Sequence, residues 1–191
     1  MRGISLSSIS LAILLLCPGQ LPAADEAALK AEANAVIKTY VTRLKGALRG
    51  ALAEGGPVRA IETCRLQAPA FAEEISRSTG WQVGRTSLRV RNPDNRPDAW
   101  EKAALEEFER QHRRGVPAAK LVRATIVEDE QGRRFRFLKA IPTGKLCLVC
   151  HGEKIAPAVR QALRKNYPGD RATGFSQGDL RGAFTLSKPL D

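Results

Sequence analysis

Two cysteines and a histidine lie close together near the C-terminal end of the chain, in the pentapeptide Cys147-Leu148-Val149-Cys150-His151. Two thiols at this spacing can each bond one vinyl group of the same porphyrin, and the imidazole that follows can then bind the iron. The pattern Cys-x-x-Cys-His is the attachment signature of c-type haem. A zinc site and a redox dithiol are the alternatives for a Cys-x-x-Cys pair, and the adjacent histidine favours one covalently attached haem c.

A haem iron has a second axial position, and the composition restricts which side chain can fill it. The only methionine is Met1, so the His/Met ligand pair of many electron-carrying cytochromes is excluded once an N-terminal signal is removed. The remaining candidates are Cys64, His112, a lysine, water or an empty position. Cys64 can instead pack as a small apolar side chain, or it can complete a Cys₃His zinc site with the pentapeptide.

The first 24 residues have the layout of an export signal. An arginine precedes the apolar run of residues 11–16, and two alanines stand at positions 23 and 24. The run is too short to span a bilayer comfortably, and lipidation at Cys17 is disfavoured because a leucine precedes it where a small residue is expected. A lipoprotein or a retained N-terminal anchor is therefore less expected than a cleaved signal. We expect a periplasmic or secreted mature protein in an oxidising compartment.

Helical signals dominate the N-terminal part of the mature chain. Residues 25–52 contain no proline and repeat apolar residues at spacings of three and four, which predicts a long amphipathic helix. Gly55-Gly56 is expected to end it, and the proline that follows suits the first turn of a second helix. Cys64 shares the apolar stripe of this second helix and therefore points inward. Pro69 predicts that the second helix is kinked or split.

The rest of the chain mixes strand and helix signals. Residues 81–90 predict a strand that must end at the turn-forming residues 92–97. Asp98 is the predicted N-cap of a third helix, with Glu101 three residues further on. The other predicted elements are a hairpin of residues 120–127 and 133–141, a short helix over 158–166 and a last strand over 183–186.

These elements place residues 25–191 in the α+β class, as a single domain. A hairpin cannot belong to a parallel crossover, so the sheet is predicted to be antiparallel, with a helix packed on one face. The long first helix also offers a surface through which the chain could dimerise.

The net charge of the chain restricts the kinds of partner that it can bind, but it does not indicate the fold. The 31 Lys and Arg against 20 Asp and Glu give a formal charge of +11, which suits an anionic membrane surface or an acidic redox partner protein. Nucleic acid is not expected, because export separates the chain from it and no stacking-aromatic motif is present. An enzyme is not expected either, since no Ser-His-Asp order, paired-carboxylate motif or phosphate loop is found.

Three separated motifs resemble one known family. They are Ile61-Glu62-Thr63-Cys64 with Ala68-Pro69, the segment Gly84-Arg85-Thr86-Ser87-Leu88-Arg89-Val90-Arg91-Asn92-Pro93, and the pentapeptide with Gly152. Together they resemble the extracytoplasmic c-haem domains of PAS-like fold that are catalogued as a domain of unknown function. The likeness runs across nearly the whole mature chain.

The resemblance implies a PAS-like antiparallel sheet with flanking helices and one covalent haem. It also implies His151 as the proximal ligand and, as in a cyanobacterial member, Cys64 as the distal one. Family members often precede histidine kinase or chemotaxis-receptor modules, which suggests redox or gas sensing. In this chain, which has no such module, sensing would need a separate partner.

A His/Cys haem is expected to have a low reduction potential, because a thiolate stabilises the ferric iron. Release of Cys64 on reduction would open a position for a diatomic gas or sulfide. We therefore expect a redox or small-ligand sensor or a low-potential electron-transfer protein, with a zinc-stabilised binding module as the alternative.

Three arginines, Arg85, Arg89 and Arg91, would share one face of a regular strand. They could form a solvated basic face. Alternatively one of them, of which Arg85 is our candidate, meets a haem propionate while the turn at residues 92–97 closes the pocket.

Overall fold

The computed structural model of the chain describes residues 23–130 and 132–190. Residues 1–22 of the predicted export signal, Cys17 among them, lie outside the described residues. Within the described ranges, none of the helices combines the length and the apolar character needed to cross a membrane.

The described residues form four helices and four strands. In chain order these are α1 (Ala23–Thr79), β1 (Gln82–Thr86), α2 (Ala99–Arg113), β2 (Val122–Asp129), β3 (Gly132–Pro142), α3 (Leu148–His151), α4 (Pro157–Asn166) and β4 (Leu180–Pro189). The strands make one sheet in the order β1-β4-β3-β2, and all neighbouring pairs are antiparallel. The α+β class with an antiparallel sheet, a long N-terminal helix and flanking helices is confirmed.

A break at two glycines divides α1 into two arms. Gly55 and Gly56 have non-helical backbone angles, and Gly56 has φ 67° and ψ −165°, a region that is open to glycine and strained for other residues. The predicted helix end at this pair is confirmed. The predicted split at Pro69 is wrong, because α1 continues to Thr79. Both Pro69 and Arg65, whose carbonyl loses its amide partner to the proline, are exposed, so water can satisfy that carbonyl.

The two arms of α1 pack on each other and on one face of the sheet. The Tyr40 hydroxyl on the first arm donates to the Ala68 carbonyl oxygen on the second across 3.1 Å. Tyr40 is 1% exposed and meets the Phe184 ring edge-on. The core between α1 and the sheet consists of Ala33, Val36, Ile37, Tyr40, Ile75, Trp81, Phe135, Phe137, Phe184 and Leu186.

Helix α2 covers the opposite face of the sheet. Leu138 and Ala183 alternate along their strands with residues of the α1 core, so they face away from α1, and they pack against Leu105 and Phe108 of α2. Our expectation of a helix on one face was therefore incomplete, since both faces are covered. The predicted N-terminus of α2 is confirmed, because Asp98 forms a capping box.

Strand lengths differ from the predictions at two places. Strand β1 ends at Thr86 rather than near residue 90, because the Ser87 hydroxyl accepts from the Arg89 amide and donates to the Arg181 carbonyl oxygen, which turns the chain. Strand β4 is longer than the predicted residues 183–186. The predicted hairpin and the predicted helix over 158–166 are confirmed as β2–β3 and α4.

Candidate functional site

The pentapeptide forms a compact helical turn at one end of the sheet. A short 3₁₀ turn over Lys145–Cys147 leads directly into α3, whose last residue is His151. Cys147 and Cys150 are three positions apart along this turn and therefore lie on the same side of it. Gly152 ends the turn, and a Cβ atom at this position would lie 2.6 Å from the Leu148 carbonyl oxygen. The tight exit from the pentapeptide therefore requires glycine.

One cavity of about 250 Å³ is lined by the five site residues that the sequence analysis favours. Cys147, Cys150, His151, Cys64 and Arg85 all line it. Because Cys64 comes from the second arm of α1, the helix packing brings together residues that are far apart in the sequence. Apart from these residues the wall is largely apolar, formed by Val41, Leu44, Leu48, Ala60, Ile61, Val90, Ile141, Leu146 and Phe184.

Hydrogen bonding determines which ring nitrogen of His151 carries the proton. Its Nδ1 lies 2.7 Å from the carbonyl oxygen of Ala172. A carbonyl oxygen can only accept, so this contact places the proton on Nδ1 and the lone pair on Nε2. Arg91 Nη1, which can only donate, lies 3.3 Å from Nε2 and agrees with this assignment. Burial lowers the pKa of His151 well below its ordinary value, and the neighbouring Arg181 and Arg91 lower it further. The neutral imidazole is the form that binds metals.

The segment 172–175 holds His151 in this orientation. The amide of Phe175 donates to the His151 carbonyl oxygen across 3.0 Å, and the amide of Gly174 donates to that of Gly152 across 2.9 Å. The Phe175 ring meets the imidazole edge-on. His151 is thus fixed by backbone and ring contacts independently of any group in the cavity.

Three cysteines line the cavity, and burial changes the pKa of two of them. Cys64, Cys147 and Cys150 are free cysteines. Burial raises the pKa of Cys64, although Arg85 and Arg91 partly oppose the shift. Burial also raises the pKa of Cys150. A thiolate at Cys64 therefore requires an additional positive charge, which a metal ion can provide.

The predicted arginine face is wrong. Because β1 ends at Thr86, Arg89 and Arg91 lie beyond the strand. Arg85 and Arg91 line the cavity, whereas Arg89 is exposed and stacks on the ring of Phe175, with 4.2 Å between its guanidinium carbon and the ring centroid. The turn predicted at residues 92–97 does reach the site, since Asn92 and Asn95 line the cavity wall.

Two residues of the cavity were missed by the sequence reasoning. Arg181 at the start of β4 has its Nε 3.2 Å from His151 Nδ1, and Tyr167 at the end of α4 lines the wall. Neither belongs to a motif. Both approach the pentapeptide only through the packing of β4 and α4, which spacing in the sequence does not reveal.

Among the other candidates for the second axial ligand, His112 lies outside the cavity. Its Nδ1 lies 2.9 Å from the Val116 carbonyl oxygen at the end of α2, and it is absent from the cavity wall. Lys45 is the lysine that lines the wall. The alternative zinc site is not formed, because in residues 23–130 and 132–190 no group of three His, Cys, Asp or Glu side chains is placed to hold a metal ion.

Comparison with known proteins gives a family and a fold. The family described as Tll0287-like matches residues 20–189. Among solved structures, the crystal structure of the cyanobacterial heme-protein Tll0287 is similar to this chain, with 24% sequence identity and a TM-score of 0.59. The likeness covers 90% of this chain and 98% of that chain. No curated protein matches the sequence.

Proposed function

This chain belongs to the Tll0287-like family, and from that premise we propose that it is a mono-haem c-type cytochrome that works outside the cytoplasm. Cys147 and Cys150 would carry the haem through thioether bonds, with His151 as one axial ligand and Cys64 as the other. The protein would act as a redox or small-ligand sensor or in low-potential electron transfer. The solved relative supports the cofactor, since it is described as a heme-protein.

One observation carries the proposal. The two thiols, His151 and Cys64 line a single cavity although they come from different parts of the chain. The Nδ1 proton of His151 donates to Ala172, so the lone pair is on Nε2, where an iron would take the place of the Arg91 Nη1 contact at 3.3 Å. A backbone carbonyl on the other ring nitrogen is the usual second contact of a histidine ligand, because it fixes the ring and raises its basicity.

The chemistry of the wall fits a flat, mostly apolar macrocycle with an acidic edge. Leu44, Leu48 and Ile61 of α1 supply an apolar surface, and arginines supply cations at the same cavity. A bound haem would supply an iron that alternates between ferric and ferrous states. The residues of the chain would orient this group, exclude water from it and set its charge environment.

Cys64 is the residue that would set the potential. As a thiolate it would stabilise the ferric iron and lower the reduction potential relative to a His/Met site. In the sensing form of the proposal, an electron from a redox partner would weaken the hold of a bound haem on Cys64. Burial raises the pKa of Cys64, so the released side chain would be kept as the protonated thiol. The second arm of α1, which carries Cys64, is then the element that would transmit the change to a partner.

The test is the visible spectrum of the full chain and of Cys64→Ala, each measured oxidised and reduced. We expect a thiolate-type spectrum in the oxidised wild type that Cys64→Ala loses while both proteins keep covalent haem. We also expect the reduced wild type to bind carbon monoxide. His112→Ala is the matched control, since His112 lies outside the cavity, and it should leave the spectrum unchanged. Identical spectra for wild type and Cys64→Ala would remove Cys64 as a ligand.

A further inference from the structure

The cavity contains more positive charge than its acidic residues balance. Three guanidinium groups line it, those of Arg85, Arg91 and Arg181. Arg91 has a carboxylate partner, because its Nη2 lies 2.9 Å from Asp170 Oδ2 and both side chains are nearly buried. For Arg85 and Arg181, the described part of the chain provides no carboxylate within ion-pair distance. Lys45 of α1 also lines the cavity, so three positive charges, those of Arg85, Arg181 and Lys45, remain at its wall without a carboxylate partner in the described residues.

Arg91 is committed to holding the loops around the site. Its Nη2 donates to the Cys150 carbonyl oxygen across 2.6 Å and to the Ala172 carbonyl oxygen across 3.3 Å, in addition to the pair with Asp170. These contacts join the pentapeptide to the segment that orients His151. We therefore assign Arg91 a structural role, in which its charge is already neutralised.

Arg181 is held in place by neutral groups. Its Nη1 donates to the Ser87 hydroxyl across 3.2 Å and lies 3.4 Å from the Arg89 carbonyl oxygen. Arg181 lines the same cavity as Arg85 and Arg91, so its charge lies near two like charges. A partly buried cation among other cations is destabilised until an anion joins it.

Arg85 completes the pair from β1. Its guanidinium carbon lies 5.8 Å from the centre of the Tyr40 ring. This contact holds the guanidinium at the cavity wall and does not neutralise its positive charge. Arg85 and Arg181 thus offer two pre-positioned cations. The Nε and Nη1 of Arg181 already have partners, so its Nη2 is the nitrogen that can donate to a carboxylate.

We infer that Arg85 and Arg181 form a subsite for two carboxylates on one edge of an otherwise apolar ligand. The inference rests on the proposed function, in which these carboxylates are the two haem propionates. It extends the sequence-based assignment of Arg85 by adding Arg181, and it excludes Arg89 and Arg91 as the recognising residues. Lys45, the third cation of the wall without a carboxylate partner in the described residues, comes from α1, whereas both arginines come from neighbouring strands of the sheet.

The test compares the haem-loaded full chain with Arg85→Gln, Arg181→Gln, Arg181→Lys and Arg89→Gln, using the midpoint potential as a function of pH. Loss of a cation beside the propionates should lower the midpoint potential, since positive charge favours the reduced iron. It should also raise the propionate pKa values, so that the potential of both Gln variants becomes dependent on pH near neutrality. Arg181→Lys keeps the charge and should stay close to the wild type.

Arg89→Gln is the matched control, because Arg89 is an exposed arginine from the same segment that lies outside the cavity. The Arg85 guanidinium contacts Tyr40 and has no carboxylate partner in the described residues. Arg85→Gln therefore breaks no ion pair and is expected to fold, and circular dichroism checks that it does. An Arg85→Gln profile that coincides with that of Arg89→Gln overturns the subsite. A shift of the wild-type potential on adding inorganic phosphate at constant ionic strength also overturns it, because the arginines would then take a free anion.

Intact mass separates this failure from failure of the proposed function. If the wild type carries no covalent haem, the proposed function itself is wrong. If all variants carry haem and only the potentials fail to respond, the haem assignment stands and the carboxylate subsite does not.

Discussion

The Nδ1 of His151 donates its proton to the carbonyl oxygen of Ala172 across 2.7 Å. This contact joins the end of the pentapeptide to a loop that lies 21 residues further along the chain. It determines the tautomer of the ring and places the lone pair on Nε2, which lies 3.3 Å from Arg91 Nη1. The acceptor is a backbone atom, and the segment that carries it is bonded to the His151 and Gly152 carbonyl oxygens. The orientation of His151 therefore depends on the backbone turn that follows it at Gly152.

Gly152 provides that turn, and its replacement gives the first prediction. In Gly152→Ala the added Cβ would lie 2.6 Å from the Leu148 carbonyl oxygen, so the backbone must shift. We expect a loss of about 1–3 kcal/mol in the free energy of unfolding, together with a reduced yield of haem-loaded protein. Urea unfolding measures the first and absorbance per protein the second.

Gly169→Ala is the control for this prediction. Gly169 is exposed, and a Cβ there meets no atom within 4 Å. Equal unfolding free energies for the two alanine variants would show that the exit from the pentapeptide does not require glycine.

The contact between the two arms of α1 gives a second prediction. Tyr40→Phe removes the hydroxyl that donates to the Ala68 carbonyl oxygen but keeps the buried ring. We expect a destabilisation of about 0.5–1.5 kcal/mol, the usual net value of one hydrogen bond. Thermal unfolding of Thr39→Ala, which removes an exposed hydroxyl from the neighbouring position, serves for comparison. If Tyr40→Phe is as stable as Thr39→Ala, the hydrogen bond between Tyr40 and Ala68 does not stabilise the fold.

The N-terminus of α2 gives a third prediction, on pH dependence. Burial opposes ionisation of Asp98, but the amide of Glu101 and the guanidinium of Arg136 outweigh it, so the pKa of Asp98 is lowered. A lowered carboxyl pKa stabilises the fold above the unfolded value, and this contribution is lost as the pH falls through the folded value. Asp98→Ala should therefore cost about 1 kcal/mol at neutral pH, and less in acid.

Unfolding curves at neutral pH and in acid check this expectation. Asp94→Ala is the control, because Asp94 is exposed and lies in the turn before α2. A cost for Asp98→Ala that is independent of pH would show that ionised Asp98 does not stabilise the helix.

Local patterns predicted most of the elements because they act over a few residues. Gly55-Gly56, the capping box of Asp98 and the turn at residues 92–97 each specify backbone geometry through neighbouring residues. Helical spacing also placed Cys64 correctly on an inward stripe. The helix is not split at Pro69 because exposure of the helix face lets water replace the lost hydrogen bond.

Long-range packing decided what the sequence could not predict. Arg181 reaches His151 from β4, and its position depends on the pairing of β4 with β1 and β3. Arg89 and Arg91 were misplaced because Ser87 ends β1 by bonding to Arg181, a residue 94 positions away. No local pattern contains such contacts.

The most direct test of the central claim is the intact mass of the mature chain, measured under denaturing conditions after production in a host with haem-attachment machinery. We predict that the wild type carries the mass of one haem and that the Cys147→Ser/Cys150→Ser variant carries none. A wild-type mass equal to that of the polypeptide alone would contradict the account.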